Sequence, residues 1–198
     1  METEKTGKVV GVNGNMVTVA FEHQVTQNEV AYVRVGEQRL KSEVIRVRGR
    51  KADMQVFEDT KGIRVGDQVE FSGDLLSVEL GPGLLTAVYD GLQNPLNELA
   101  EKAGFFLKRG LYLKALDRAR KWKFTPTAKV GQTVEAGVAL GWVPEGIFQH
   151  QIMVPFTYRG AWEVQWVLEG GEHTVETVVA RLVQGREVRE VAWSRCGP

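Results

Sequence analysis

The sequence predicts a mainly β protein: a six-stranded antiparallel β-barrel, a short helical linker and a second β unit. Three observations carry this expectation. Glycines are abundant, 22 in 198 residues, and most fall between short runs rich in valine, isoleucine and phenylalanine, the punctuation of β structure. Those runs recur every 8–12 residues or so, the spacing of a small barrel or sandwich. Residues 9–71 hold no stretch of helical periodicity.

The first hairpin is the clearest element. Val10 and Val12 alternate before Asn13-Gly14, and Val17, Val19 and Phe21 alternate after it. Asn-Gly tolerates the positive φ angles of a type I′ turn, whose twist matches that of the flanking strands. Further strands are expected at residues 29–35, 43–47, 52–57 and 68–71, with turns at Gly36, Gly49 and Gly66. This makes residues 1–72 the barrel.

The texture changes over residues 73–110, expected to be a linker with short helices. Gly81-Pro82-Gly83 opens a stretch, residues 84–90, whose apolar residues fall at helical spacing, with Pro82 suited to a first-turn position. A second helix is expected from Pro95 to Ala103, stopped by Gly104 and capped by Asn94, with Leu96, Leu99 and Ala103 on one face. The β signature returns in residues 111–198. Val130, Val134, Val138 and Leu140 lie among glycines at 131, 137 and 141, and strands are expected at 147–154, 161–168, 177–183 and 187–193.

Composition excludes several functions. Lys and Arg total 25, as do Asp and Glu, so the formal net charge is zero, unlike the basic excess of a dedicated nucleic-acid binder. A single cysteine, Cys196, forms no internal disulfide and favours a reducing compartment. No apolar run reaches the ~18–20 residues of a membrane span, and the acidic start lacks a signal core. A cytoplasmic protein that does not insert into membrane is expected.

No chemical motif is complete. Gly7-Lys8 is followed by Val9, so it lacks the Ser or Thr of a phosphate-binding loop. Gly81-Pro-Gly-Leu-Leu-Thr86 imitates a dinucleotide fingerprint but contains a proline and ends in Thr86; a turn opening a helix explains it. His23, His150 and His173 lack the close spacing of a structural zinc site. His150, between Gln149 and Gln151, reads as an interfacial or hydrogen-bonded histidine. Composition alone leaves a nucleophilic triad open, but no Gly-x-Ser-x-Gly elbow occurs. The tryptophans at 122, 142, 162, 166 and 193 are interleaved with acids and amides around 162–166, which favours core packing and partner contacts over base stacking. The basic run from Lys114 to Lys123 reads as a solvated segment suited to an acidic partner. The sequence therefore assigns no catalytic, cofactor-binding or metal-ligating residue.

Several segments nonetheless resemble one family. Ala52-Asp-Met-Gln-Val-Phe-Glu-Asp-Thr60, Val65-Gly-Asp-Gln-Val-Glu-Phe71, Leu76-Ser-Val-Glu-Leu-Gly-Pro-Gly-Leu-Leu85 and Tyr89-Asp-Gly-Leu-Gln-Asn-Pro-Leu96 are similar to the catalytic A subunit of V-type and archaeal-type rotary ATPases. Ala115-Leu-Asp117, Trp122-Lys-Phe-Thr-Pro126, Val130-Gly-Gln-Thr-Val134 and His150-Gln-Ile-Met-Val-Pro155 extend the match, while Thr86, Phe156, Thr157 and Tyr158 depart from it.

The resemblance implies an N-terminal fragment, with the P-loop, catalytic acid and lysine, and hence ATP and magnesium, in the rest of the parent. It implies barrels packed in a crown over a ring of alternating A and B subunits. Residues 73–96 would begin the nucleotide-binding domain, and residues ~110–190 would be the bulge that contacts the peripheral stalk. The parent would couple ATP hydrolysis or synthesis to proton or sodium transport. Leu84, Leu85, Val88 and Tyr89 would then form an apolar patch, covered by self-association or by the bulge. The second unit is also similar to biotinyl and lipoyl carrier domains, but its hairpin tip, Trp142 to His150, has no lysine to hold a prosthetic group. A free-standing carrier-like, ligand-binding or oligonucleotide-binding module is the alternative.

Overall fold

A computed structural model describes residues 5–104, 109–193 and 195–197. The described residues divide into two compact units, residues 5–77 with 102–104 and 109–112, and residues 78–101 with 113–193 and 195–197.

The first unit is a closed barrel of six antiparallel strands: β1 (Thr6–Asn13), β2 (Met16–Phe21), β3 (Glu29–Val35), β4 (Gln38–Arg48), β5 (Lys51–Val56) and β6 (Gln68–Leu75). Their order around the barrel is β1-β2-β5-β4-β3-β6, closed by β6 pairing back onto β1. Alternate residues fill the interior, among them Val9, Val17, Val19, Leu40, Val44, Met54 and Val69. β4 starts five residues before the expected 43 and β6 runs four beyond the expected 71. The polar look of Gln38-Arg-Leu-Lys-Ser42 hides an alternation in which Leu40 and Ser42 both point inward and are buried. Ser42 is accommodated there because its hydroxyl donates to the Ala31 carbonyl at 2.8 Å, as a buried polar group requires.

Tight turns share one device. The loops Gly14-Asn15, Gly36-Glu37 and Gly49-Arg50 each place glycine first, at φ 61°, 60° and 59°, while the second residue stays at negative φ. Positive φ at the first position alone is the type II′ pattern. This corrects the expected type I′ turn at Asn13-Gly14. Asn13 is the last residue of β1, paired with Met16, and the loop is Gly14-Asn15. Gly146-Ile147 and Gly185-Arg186 repeat the pattern in the second unit, with glycine φ 61° in both.

The second unit contains β7 (Val78–Leu80), β8 (Trp122–Pro126), β9 (Thr133–Val134), β10 (Ala139–Glu145), β11 (Phe148–Met153), β12 (Trp162–Val167), β13 (Gly171–His173), β14 (Val178–Gln184), β15 (Glu187–Ala192) and β16 (Arg195–Gly197). Two four-stranded sheets have the orders β11-β10-β8-β13 and β15-β14-β12-β9, and β16 pairs with β7. Phe124, Leu140, Val143 and Ile152 from one sheet and Trp162, Val164, Leu182 and Val191 from the other join a single buried cluster. Gly141 is required within it, because a Cβ there would lie 2.3 Å from the Phe124 ring and 2.7 Å from the Thr125 carbonyl.

The helical expectations are corrected in two places. Residues 84–90 form only one 3₁₀ turn, Leu84–Thr86, because Gly83 sits at φ 113° and the apolar side chains part company. Leu84 packs on the buried cluster while Leu85 and Val88 point to solvent. The helix α1 spans Leu96–Ala103, but Asn94 does not cap it. The Asn94 amide oxygen instead accepts from the Leu113 N–H at 2.8 Å, and the amide nitrogen donates to Asp90.

Candidate functional site

The residues singled out in the sequence do not converge. His23 lies in the barrel unit with its ring 5.0 Å from Phe71 and 5.7 Å from Phe21, and burial lowers its pKa. In the second unit, His173 Nε2 is 3.2 Å from the Glu169 carbonyl oxygen. Cys196 is on β16, opposite Glu79. Trp122, Trp162 and Trp193 are buried and Trp166 is 40% exposed. Among the described residues no group of three or more His, Cys, Asp or Glu could hold a metal ion.

The basic run is less solvated than expected. Arg118 pairs with Glu79, with Glu176 3.5 Å from its Nε, and its side chain is three-quarters buried. Arg120 stacks 4.0 Å above Trp122. The run is thus fastened to the second unit through Arg118, while Lys114, Arg120, Lys121 and Lys123 are exposed.

The most organised polar constellation of the second unit is one sequence reasoning missed. Glu145, the last residue of β10, has a fully buried side chain. Its Oε1 accepts from the N–H groups of Gly83 and Leu85, both at 2.9 Å, and its Oε2 meets His150 Nδ1 at 2.9 Å. The expected hydrogen-bonded histidine at 150 is therefore real, and Glu145 is its partner. A signal was present: Val143 points inward, and alternation places Glu145 on the same face. A second constellation surrounds Asp90-Gly-Leu-Gln-Asn94. Asp90 Oδ1 accepts from the N–H groups of Leu92 and Asn94, at 2.9 and 2.8 Å. Gln93, at φ 63°, bonds the backbone of Glu79 in both directions, at 2.7 and 2.6 Å. These amide and carboxylate groups satisfy the backbone of an otherwise irregular loop.

The barrel unit carries an exposed polar face. Arg34 and Arg39 both pair with Glu70, and Arg39 stacks 4.4 Å over Tyr32. With Lys5 they line a shallow depression of about 280 Å³. Beside it, residues 109–112 strap onto the barrel. The Arg109 guanidinium bonds Gln38 and the carbonyls of Asp59 and Lys61, and the Tyr112 hydroxyl donates to Glu58 at 2.6 Å while accepting from the Lys41 N–H at 2.6 Å. Burial and the bond to Glu58 hold the Tyr112 pKa well above the ordinary tyrosine range. Arg109 and Tyr112 hold backbone of the barrel in place, while Arg34 and Arg39 converge on one carboxylate. The expected apolar patch is split: Leu85 and Val88 are 61% and 65% exposed, whereas Leu84 packs on the buried cluster and the Tyr89 hydroxyl donates to the Ala115 carbonyl at 2.9 Å.

Two family models match the chain. Residues 9–73 match the beta-barrel domain of the ATP synthase alpha/beta family, and residues 113–195 match the ATP synthase alpha/beta subunit barrel-sandwich domain. The V-type ATP synthase alpha chain of Treponema denticola is 60% identical over 184 residues, covering 93% of this chain and 31% of the relative. V-type ATP synthase alpha chain 1 of Treponema pallidum is 58% identical over 187 residues, covering 93% and 32%. The V-type ATP synthase alpha chain of Borreliella afzelii is 57% identical over 174 residues, covering 88% and 30%. The chain thus spans about a third of the length of these relatives.

Proposed function

We propose, for a chain that belongs to the ATP synthase alpha/beta family and is homologous to V-type alpha chains, that its 198 residues serve assembly rather than catalysis. In this reading the barrel joins neighbouring barrels and holds a ring of alternating alpha and beta chains together. The barrel-sandwich unit contacts the peripheral stalk and resists torque. ATP and magnesium bind in other parts of the parent subunit, which couples ATP synthesis or hydrolysis to ion transport from the cytoplasmic face of the membrane. No helix among the described residues is long and apolar enough to cross a membrane.

The observation that supports this reading most is the pairing, on one chain, of the family's barrel and its barrel-sandwich domain. Closure of the barrel through β6 and β1 leaves it no free strand edge, so contact with a neighbour falls to side chains such as Arg34 and Arg39. The test is titration calorimetry of the chain against the beta chain and the stalk subunits of the same complex. Saturable binding to both is expected. The absence of heat with either at any accessible concentration overturns the proposal, as does ATP turnover by the chain above a heat-killed control.

A further inference from the structure

Glu145 has a consequence that stands apart from assembly. The 3₁₀ turn Leu84–Thr86 has no side-chain cap of its own, since the residue before it is Gly83. The free N–H groups at the start of such a turn need acceptors, and the Glu145 carboxylate supplies them from 60 residues away. Between Gly83 and Ala87 the other ties are weak, whereas the Val88 carbonyl accepts from the Leu96 N–H at 2.9 Å and marks the end of the segment. The Ala87 N–H reaches the Leu84 carbonyl at 3.3 Å and the Thr86 hydroxyl reaches the Gly83 carbonyl at 3.5 Å. Leu85 and Val88 are largely exposed, leaving Leu84 as the chief apolar anchor. On the hairpin side, Glu145 also closes the tip opposite Phe148 and is itself held by His150.

We propose that Glu145 is a latch: its carboxylate docks residues 83–87 onto the β10–β11 hairpin, and its loss releases that segment as a local opening while the two sheets stay folded. A buried carboxylate keeps its place only while its donors are present, so the latch is either fully engaged or abandoned to water. The device gives the second unit two states, one presenting Leu85 in a fixed position and one leaving it on a loose loop.

Hydrogen exchange on the full 198-residue chain tests this. In Glu145→Ala, amides of residues 83–87 should exchange at least about tenfold faster, while β12 and β14 stay within about twofold of the parent. Glu145→Gln keeps an acceptor for Gly83 and Leu85 and should retain most of the protection. Unchanged exchange at 83–87 in Glu145→Ala overturns the latch. So does an equal loss across β12 and β14, which would make Glu145 a general determinant of the fold. Should Glu145→Ala not fold, His150→Ala decides. Its side chain is 23% exposed, and faster exchange confined to 83–87 supports the proposal while unchanged exchange there refutes it.

Discussion

Gly141→Ala tests the packing of the second unit most directly. The added methyl would sit 2.3 Å from Cε2 and Cζ of Phe124 and 2.7 Å from the Thr125 carbonyl oxygen, against an ordinary carbon–carbon contact of ~3.5–4.0 Å. Relief requires the ring to move by more than about 1 Å, and the ring has nowhere to go: Phe124 is 1% exposed and lies 5.3 Å from Trp193, centroid to centroid. Overpacking of a rigid core costs ~1–3 kcal/mol, occasionally more. Because ring and carbonyl collide together, about 3 kcal/mol is expected. For a unit of roughly 100 residues this lowers Tm by on the order of 12 °C or more. All five tryptophans fall between 122 and 193, so tryptophan fluorescence during thermal or urea unfolding follows this unit. The double variant Gly141→Ala/Phe124→Leu removes the two ring atoms that collide and should recover part of the loss, giving a favourable coupling of about 1 kcal/mol or more in a double-mutant cycle. A Gly141→Ala chain melting within about 2 °C of the parent, or strict additivity in the cycle, refutes the reasoning.

Other expectations concern the barrel unit. Gly7→Ala places a methyl 2.8 Å from both the Ala20 carbonyl and Val19 Cγ1 and should cost about 1–3 kcal/mol; Gly11→Ala, whose Cβ meets only Thr18 at 3.9 Å, should stay within about 0.5 kcal/mol of the parent by denaturation followed in the far ultraviolet. Tyr112→Phe removes the hydroxyl shared by Glu58 and the Lys41 N–H and should cost about 1–2 kcal/mol at neutral pH. Since the folded-state pKa of Tyr112 is raised, its contribution is complete below the ordinary tyrosine pKa of ~10 and fades as pH climbs beyond it; the Phe variant should lack that alkaline slope. His23 behaves oppositely. Its pKa is lowered chiefly by burial, so its contribution is present above ~6.5 and is lost on acidification through the folded-state value. An NMR titration of the imidazole midpoint below 6.5 and a weaker acid slope in His23→Phe check this.

The parts of the fold legible in the sequence are those where one residue type reports one environment. Val17, Val19 and Phe21 alternate without exception, and β2 follows. Where a polar side chain finds a private partner, the pattern misleads. Ser42 turns inward because the Ala31 carbonyl receives its hydroxyl, so β4 begins well before its apolar half suggests. Leu84, Leu85, Val88 and Tyr89 carry a helical period, yet tertiary contacts pull Leu84 and Tyr89 onto the second unit and leave the other two in water. Asn94 looks like a helix cap and is diverted to Leu113. Glu145 was hidden for a related reason. Pro144-Glu145-Gly146 reads as a solvated turn, and the donors that neutralise its burial lie 60 residues upstream, beyond the reach of local periodicity.

The strand order of the barrel has a bearing on how the molecule is born. β6 lies between β1 and β3, so a nascent chain that has emerged only as far as Val56 holds five strands curled into an open sheet with two bare flanks. Closure waits for Gln68–Leu75, and the strap onto Glu58 and Lys41 waits longer still, for Tyr112. During that interval of synthesis the two flanks are templates for wrong pairing. A pause in synthesis while residues 68–75 are still inside the ribosome prolongs the hazard; a pause once Tyr112 has emerged finds a barrel already sealed and buckled.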